Sequence, residues 1–173
     1  MTDNAKQQRF MALLKPVYPR LERFALTVTR NRDDAKDIVG ETVLKAFEGF
    51  EMLRDDKAFL SYIFTICSRV AQSARYAKRT IASAEQVEEL FRNYTSPETA
   101  TDIALLYQAI DKLSPESKEA IMLSEISGLS HKEVQEIQGG SLSSIKVRIF
   151  RAKKTLAELL GVGLQQQSLI SES

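Results

Sequence analysis

Residues 129–154 read LSHKEVQEIQGGSLSSIKVRIFRAKK, the run with the clearest local grammar in the chain. Ser130 followed three residues later by Glu133 is a capping box, with Leu129 and Val134 at the positions of a hydrophobic staple. A short helix therefore starts at Ser130 and ends at Gly139 and Gly140. After Ser141 and Leu142 a second helix is predicted from about Ser143 to Leu160, with Ile145, Ile149, Ala152, Leu156 and Leu159 on its buried side. Two helices across a short glycine-containing turn make a helix-turn-helix.

At about 100° per residue, Val147, Phe150, Arg151 and Lys154 fall opposite Ile145. From Lys146 to Lys154 there are five basic residues and no acid. A merely solvated face would alternate Glu with Lys, so phosphate contact is the better account of this one. Lys146, Arg148 and Arg151 can hold phosphates or donate to guanine edges, while Val147 and Phe150 can meet thymine methyls. The alternative is a basic solvated helix whose exposed Val and Phe pack elsewhere on the protein.

Upstream, Ser96 and Pro97 form a cap and first helical residue, opening a helix with Ile103, Leu106, Ile110 and Leu113 on one face. Ser114, Pro115 and Glu116 repeat that start signal, and Gly128 closes the helix that follows. Between Thr80 and Thr101 the apolar pattern weakens and acids gather at Glu85, Glu88 and Glu89, so 80–101 is predicted to be a linker. The first half carries three helical patterns. Val17 to Arg32 has Val17, Leu21, Phe24, Ala25 and Val28 in step, with Pro16 and Pro19 suiting a helix start. Asn31 to Asp34 is a break with capping side chains. A second helix then carries Ala35, Ile38, Val39, Thr42, Val43, Ala46 and Phe47 to about Phe50. Gly49 to Asp56 reads as a loop. A third helix runs from about Lys57 to Lys78 with Phe59, Ile63, Ile66 and Val70 inward, and residues 161–173 are expected to fray.

The end of that third helix interleaves Arg69, Arg75, Lys78 and Arg79 with Tyr62, Phe64 and Tyr76, as a single-strand binder requires. Equally, such aromatics can be core and such cations can complement the helix dipole. Asp37, Glu41 and Glu48 line one flank of the second helix, where a solvated acidic face is the ordinary explanation.

The 173 residues fit one ordinary domain or two small ones. Hydrophobic residues at 43% and charged residues at 27% are a globular balance, and 7 Gly, 4 Pro and no Trp argue against turn-dense all-β folds. An all-α chain of two small helical domains joined by a flexible linker is expected. Lys+Arg 24 against Asp+Glu 23 leave a formal net charge of +1, so partner chemistry lies in local charge rather than in the total. The lone Cys67 and lone His131 exclude an intramolecular disulfide and a usual structural zinc site. Cys67 is expected in the core and His131 at the surface. Neither a signal peptide nor a membrane span is visible, and a reduced cytoplasmic chain is expected. No set of residues supports acid/base, nucleophilic or metal chemistry, so no enzyme activity, metal or cofactor is expected.

Two strings then become recognisable. Residues 34–47, DAKDIVGETVLKAF, resemble a pattern in which DAEDLVQETFLRAW is typical. Residues 113–137, LSPESKEAIMLSEISGLSHKEVQEI, followed by 143–154, SSIKVRIFRAKK, resemble a second signature in which GTVKSRLHRARK is common. Both patterns, in this order and spacing, are those of bacterial RNA polymerase sigma factors of the extracytoplasmic-function (ECF) group.

The resemblance implies a region 2 bundle over 10–79 that holds the polymerase clamp and opens the promoter −10 element. It implies a region 4 helix-turn-helix over 102–160 that reads the −35 element. Polymerase contact would fall on Asp37, Glu41 and Leu44. The −10 strand would meet the Gly49–Lys57 loop and the face of Tyr62, Thr65, Arg69 and Gln72, continued by Arg75, Lys78 and Arg79. The −35 contacts would fall on Ser144, Lys146, Val147, Arg148 and Arg151, with Phe150 and Lys154 on the same face. Gly40 stands where Gln is common, Tyr62 where Trp is common and Arg69 where Asn is common. Val147 replaces a frequent Ser, which implies an altered −35 preference. The implied partners are core RNA polymerase, promoter DNA and an anti-sigma protein, with a monomer expected when free. The rival readings are a stand-alone helix-turn-helix regulator, dimeric on a palindrome, and a sigma mimic that occupies an anti-sigma partner without touching DNA.

Overall fold

The computed structural model describes residues 2–73, 84–92 and 95–161. All regular structure among them is helical, in two compact units, residues 1–80 and 81–173. None of the described helices is long and apolar enough to cross a membrane.

The first unit packs α1 (Asp3–Thr29), α2 (Arg32–Glu48) and α3 (Phe59–Gln72) against one another. Helix α1 begins earlier than its prolines imply. The Thr2 side chain accepts the Ala5 N–H at 3.3 Å, and Phe10 and Leu14 are already buried, so Pro16 and Pro19 sit inside the helix. Both are on its exposed side, where the two carbonyls that lose an intrahelical donor can be hydrated. Arg30 ends α1 at φ 53°, and Asn31 caps α2 through the Asp34 N–H at 3.0 Å. The expected stripes of α1 and α2 are largely buried: Leu21, Phe24, Ala25, Ile38, Val39 and Ala46.

Between α2 and α3 the expected loop contains two single 3₁₀ turns, Phe50–Met52 and Asp56–Ala58. Phe59, Ile63 and Val70 of α3 point inward as expected, whereas Ile66 is half-buried. Phe64 is wholly buried with its ring edge-on to Phe24, centroids 5.7 Å apart, so it is core and not a stacking platform. Cys67 is buried as well.

The second unit begins with a correction. Within 80–101, read as a linker, Ala84–Arg92 forms helix α4 and packs on α5 (Pro97–Asp111). Val87 is buried, and Phe91 meets Tyr107 edge-on at 5.8 Å. The acids at 85, 88 and 89 mask this short apolar stripe when the sequence is scanned for composition alone.

Ser96 and Ser114 cap α5 and α6 (Pro115–Ile121) as read, accepting the Thr99 and Ser117 N–H groups. Helix α6 runs on through a π turn, Met122–Ile126, and Gly128 at φ 72° ends it. Helices α7 (His131–Gln138) and α8 (Leu142–Leu159) complete the helix-turn-helix, which closes over Ile121, Leu123, Val134, Ile145 and Ile149.

Candidate nucleic-acid interface

The capping box at the start of α7 is present in both directions. The Glu133 N–H donates to Ser130 Oγ at 3.1 Å and the Ser130 N–H to Glu133 Oε1 at 2.8 Å. Leu129 and Val134 are both buried, as a staple requires. The turn between the helices needs its glycines. Gly139 sits at φ 83°, ψ −171°, a region open essentially to glycine alone, and Gly140 at φ 77°. Gln135 Nε2 donates to the Gly140 carbonyl at 2.9 Å, which ties the turn to α7. Ser141 then caps α8 by accepting the Ser144 N–H at 3.1 Å.

This scaffold exposes one face of α8. Ser144, Lys146, Val147, Phe150, Arg151 and Lys154 are all exposed, Phe150 at 59% of its surface. An exposed ring among cations costs free energy in water and gains it against thymine methyls or base faces. Arg148 differs from its neighbours. It is half-buried, and its Nη1 donates to Gln138 Oε1 at 2.7 Å. Gln138 Nε2 in turn donates to the Glu116 carbonyl at 3.0 Å and to Glu119 Oε1 at 3.1 Å. The guanidinium is thus held by a chain of bonds running back to α6. Sequence spacing could not have shown Gln138 in this role, because the link joins three helices.

Two details of α8 differ from the expectation. Leu159 is 43% exposed, since α8 ends there. Lys153, counted among the five cations, is buried with Nζ 2.7 Å from Glu125 Oε1, so its charge is spent inside the unit.

In the first unit, Tyr62, Thr65, Arg69 and Gln72 lie at helical spacing along α3. Arg69 and Gln72 are exposed, and Gln72 donates to Ser68 Oγ at 3.0 Å. Thr65 is half-buried and donates to the Ser61 carbonyl at 2.6 Å. The Tyr62 hydroxyl donates to the Ala46 carbonyl at 2.8 Å, and burial holds its ionisation above the usual value of 10.0. Arg75, Lys78 and Arg79 lie outside the described residues.

On α2, Asp37 and Leu44 are exposed, Leu44 at 58%, and Glu41 between them pairs with Lys45 at 3.1 Å. The three share a stripe at spacings of four and three. Gly40 lies on the same stripe, with open space where a side chain would go.

The family described as sigma-70 region 2 matches residues 13–81, and that described as sigma-70, region 4 matches residues 103–156. The RNA polymerase sigma factor SigV of Bacillus subtilis is 30% identical over 136 residues, 78% of this chain and 80% of its own. The ECF RNA polymerase sigma factor EcfG of Rhodopseudomonas palustris is 28% identical over 146 residues, 83% and 81% of the two chains. Among solved structures, the sigma factor RpoE in complex with the anti-sigma factor NepR from Bartonella quintana superposes with a TM-score of 0.68 at 26% identity. That match covers 93% of this chain and 99% of the other. CnrH, in complex with the cytosolic domain of CnrY, gives the same TM-score at 22% identity and covers 90% and 89%.

Proposed function

The chain belongs to the RNA polymerase sigma factors of the ECF group, and from that premise we propose how its two units divide the work of transcription initiation. Residues 10–79 hold core RNA polymerase and the −10 strand, and residues 102–160 read the −35 duplex. Asp37, Glu41 and Leu44 make the polymerase contact. The turn at 49–57 and the α3 face of Tyr62, Thr65, Arg69 and Gln72, continued by Arg75, Lys78 and Arg79, take the displaced strand. Ser144, Lys146, Val147, Arg148, Phe150, Arg151 and Lys154 enter the −35 major groove.

The protein has no catalysis of its own and lends sequence recognition to the polymerase in the cytoplasm, as a monomer when free. An anti-sigma protein as a further partner is supported by the RpoE neighbour, whose structure is a complex with one. The observation that carries the DNA reading is the exposed α8 face, which pairs apolar Val147 and Phe150 with Lys146, Arg151 and Lys154. A sigma mimic would have no use for such a face.

Runoff transcription with core polymerase on genomic promoter fragments tests the proposal. New start sites that depend on the protein are expected, and they deliver the −10 and −35 sequences together. Failure to bind core without duplex binding would favour the mimic. Failure to bind core, together with tight duplex binding by the protein alone, would favour the stand-alone regulator.

A further inference from the structure

The first turns of α1 do something that the region 2 pattern does not include. That pattern matches from residue 13, yet Lys6, Arg9 and Phe10 precede it, with Arg9 and Phe10 three and four residues after Lys6 and so on one face of α1. All three reach the segment between α2 and α3. Arg9 Nε donates to Asp56 Oδ1 at 2.9 Å, its Nη2 contacts the same carboxylate, and its guanidinium carbon lies 4.7 Å from the Phe50 ring centroid. Lys6 Nζ is 3.8 Å from Glu51 Oε1 and 4.6 Å from the Phe47 ring centroid. Phe10 meets Phe47 and Phe50 edge-on at 5.2 Å and Phe59 at 5.7 Å.

The contacts bracket the segment. One cation holds the acid in its first 3₁₀ turn and the other holds the acid that opens its second, so the intervening residues are pinned at both ends. Between them Met52 stands 83% exposed, with Arg54 exposed nearby. Charge gives the arrangement a second use. Residues 51–57 contain three acids, Glu51, Asp55 and Asp56, against Arg54 and Lys57, a balance that repels a phosphate backbone. Lys6 and Arg9 reverse its sign at the place where the anion must approach.

We infer that Lys6, Arg9 and Phe10 form an N-terminal clamp that positions the 49–58 segment and offsets its acids, so that Met52 and Arg54 are presented to the displaced −10 strand. Lys6 and Arg9 are positioning residues and touch no base themselves. The inference rests on the reading of 49–57 as the −10 strand contact.

The test uses the full chain in holoenzyme on a promoter mapped by runoff transcription. Opening is read as permanganate reactivity of −10 thymines, and discrimination as the ratio of opening across promoters with single −10 substitutions. Lys6→Ala with Arg9→Ala is expected to reduce opening roughly five- to tenfold, the lower end of what two partly exposed ion pairs and two cation–π contacts contribute together. The −10 discrimination should flatten, while core binding and −35 duplex binding stay as in the wild type and unfolding stays cooperative with a modestly lowered midpoint. Arg9→Asp should lose at least as much, and adding Asp56→Arg to it should restore opening and discrimination together.

Met52→Ala and Arg54→Ala separate the two levels of the argument. If they impair opening while the α1 variants behave as wild type, the clamp is wrong and the strand-contact reading stands. If neither set changes opening, the strand-contact reading falls and the clamp with it. Equal loss of core and −35 binding in the α1 variants would mean general unfolding and would overturn the positioning role.

Discussion

Arg148 is tethered to Gln138 and, in the proposed function, is also a −35 contact. Gln138→Ala removes its acceptor together with the bonds from Gln138 to Glu116 and Glu119, so it frees Arg148 and loosens α7 on α6 without altering the exposed face of α8. Discrimination at one −35 base pair is expected to fall by about 1–3 kcal/mol in Arg148→Ala and by less in Gln138→Ala, with affinity for unrelated duplex nearly unchanged in the latter. Competition binding on substituted −35 duplexes measures both. Tyr62 supplies a second test. Its phenol ionises above 10.0 in the folded chain and near 10 when unfolded, so the stabilisation is complete below pH 10 and is lost as pH rises through the folded value. Tyr62→Phe should cost about 1 kcal/mol at neutral pH through the lost bond to Ala46, and its unfolding free energy should fall less steeply above pH 10. Caps were legible residue by residue, since Ser130, Glu133, Ser96 and Ser114 act within three positions of their partners. Lys153 was not. A long cation reads as solvated unless its acid is near in sequence, and Glu125 lies on the π turn, far along the chain.

At the scale of the element, α2 and α8 carry the tests. Gly40 has neither positive φ nor a close neighbour, so its glycine weakens α2 with no steric gain. Gly40→Ala should raise stability by about 0.5–1 kcal/mol, read as a higher denaturation midpoint. On α8 the cations should separate by salt dependence. Lys154→Ala is expected to reduce the slope of log affinity against log salt by about 0.9, whereas Lys153→Met leaves the slope unchanged. Lys153→Met should instead change the unit's stability by no more than about 1 kcal/mol, because the Glu125 carboxylate it leaves is exposed and can be hydrated. The helix-turn-helix was legible as an element because its signals are local: a capping box, two glycines and a stripe of Ile145, Ile149, Ala152 and Leu156. Helices α1 and α4 depart from the sequence pattern for opposite reasons. Prolines that usually open a helix sit inside α1, where the Phe10 and Leu14 burial outweighs the lost backbone donors. Helix α4 is too short for its apolar stripe to stand out from its acids, and its partner Tyr107 comes from α5.

Taken whole, the molecule has two units, each with its own core, and in the proposed function polymerase and duplex fall to different ones. Charge reversal at Asp37 or Glu41 should therefore weaken association with core polymerase while leaving −35 duplex binding by the full chain unaltered. A pull-down with core and a duplex titration on the same variant check this, and parallel losses in both would sink it. Composition and two motifs sufficed for the all-α architecture and its two-part plan. The contacts that aim side chains did not follow, since Arg9 to Asp56 and Arg148 to Gln138 both join separate elements. The burial of Cys67 in the first unit has a practical consequence. The chain's single thiol is closed to alkylating reagents while that unit is folded, and it becomes reactive only as the unit opens. Its labelling rate is accordingly a clock for the opening of the first unit, readable in the native chain without an added probe.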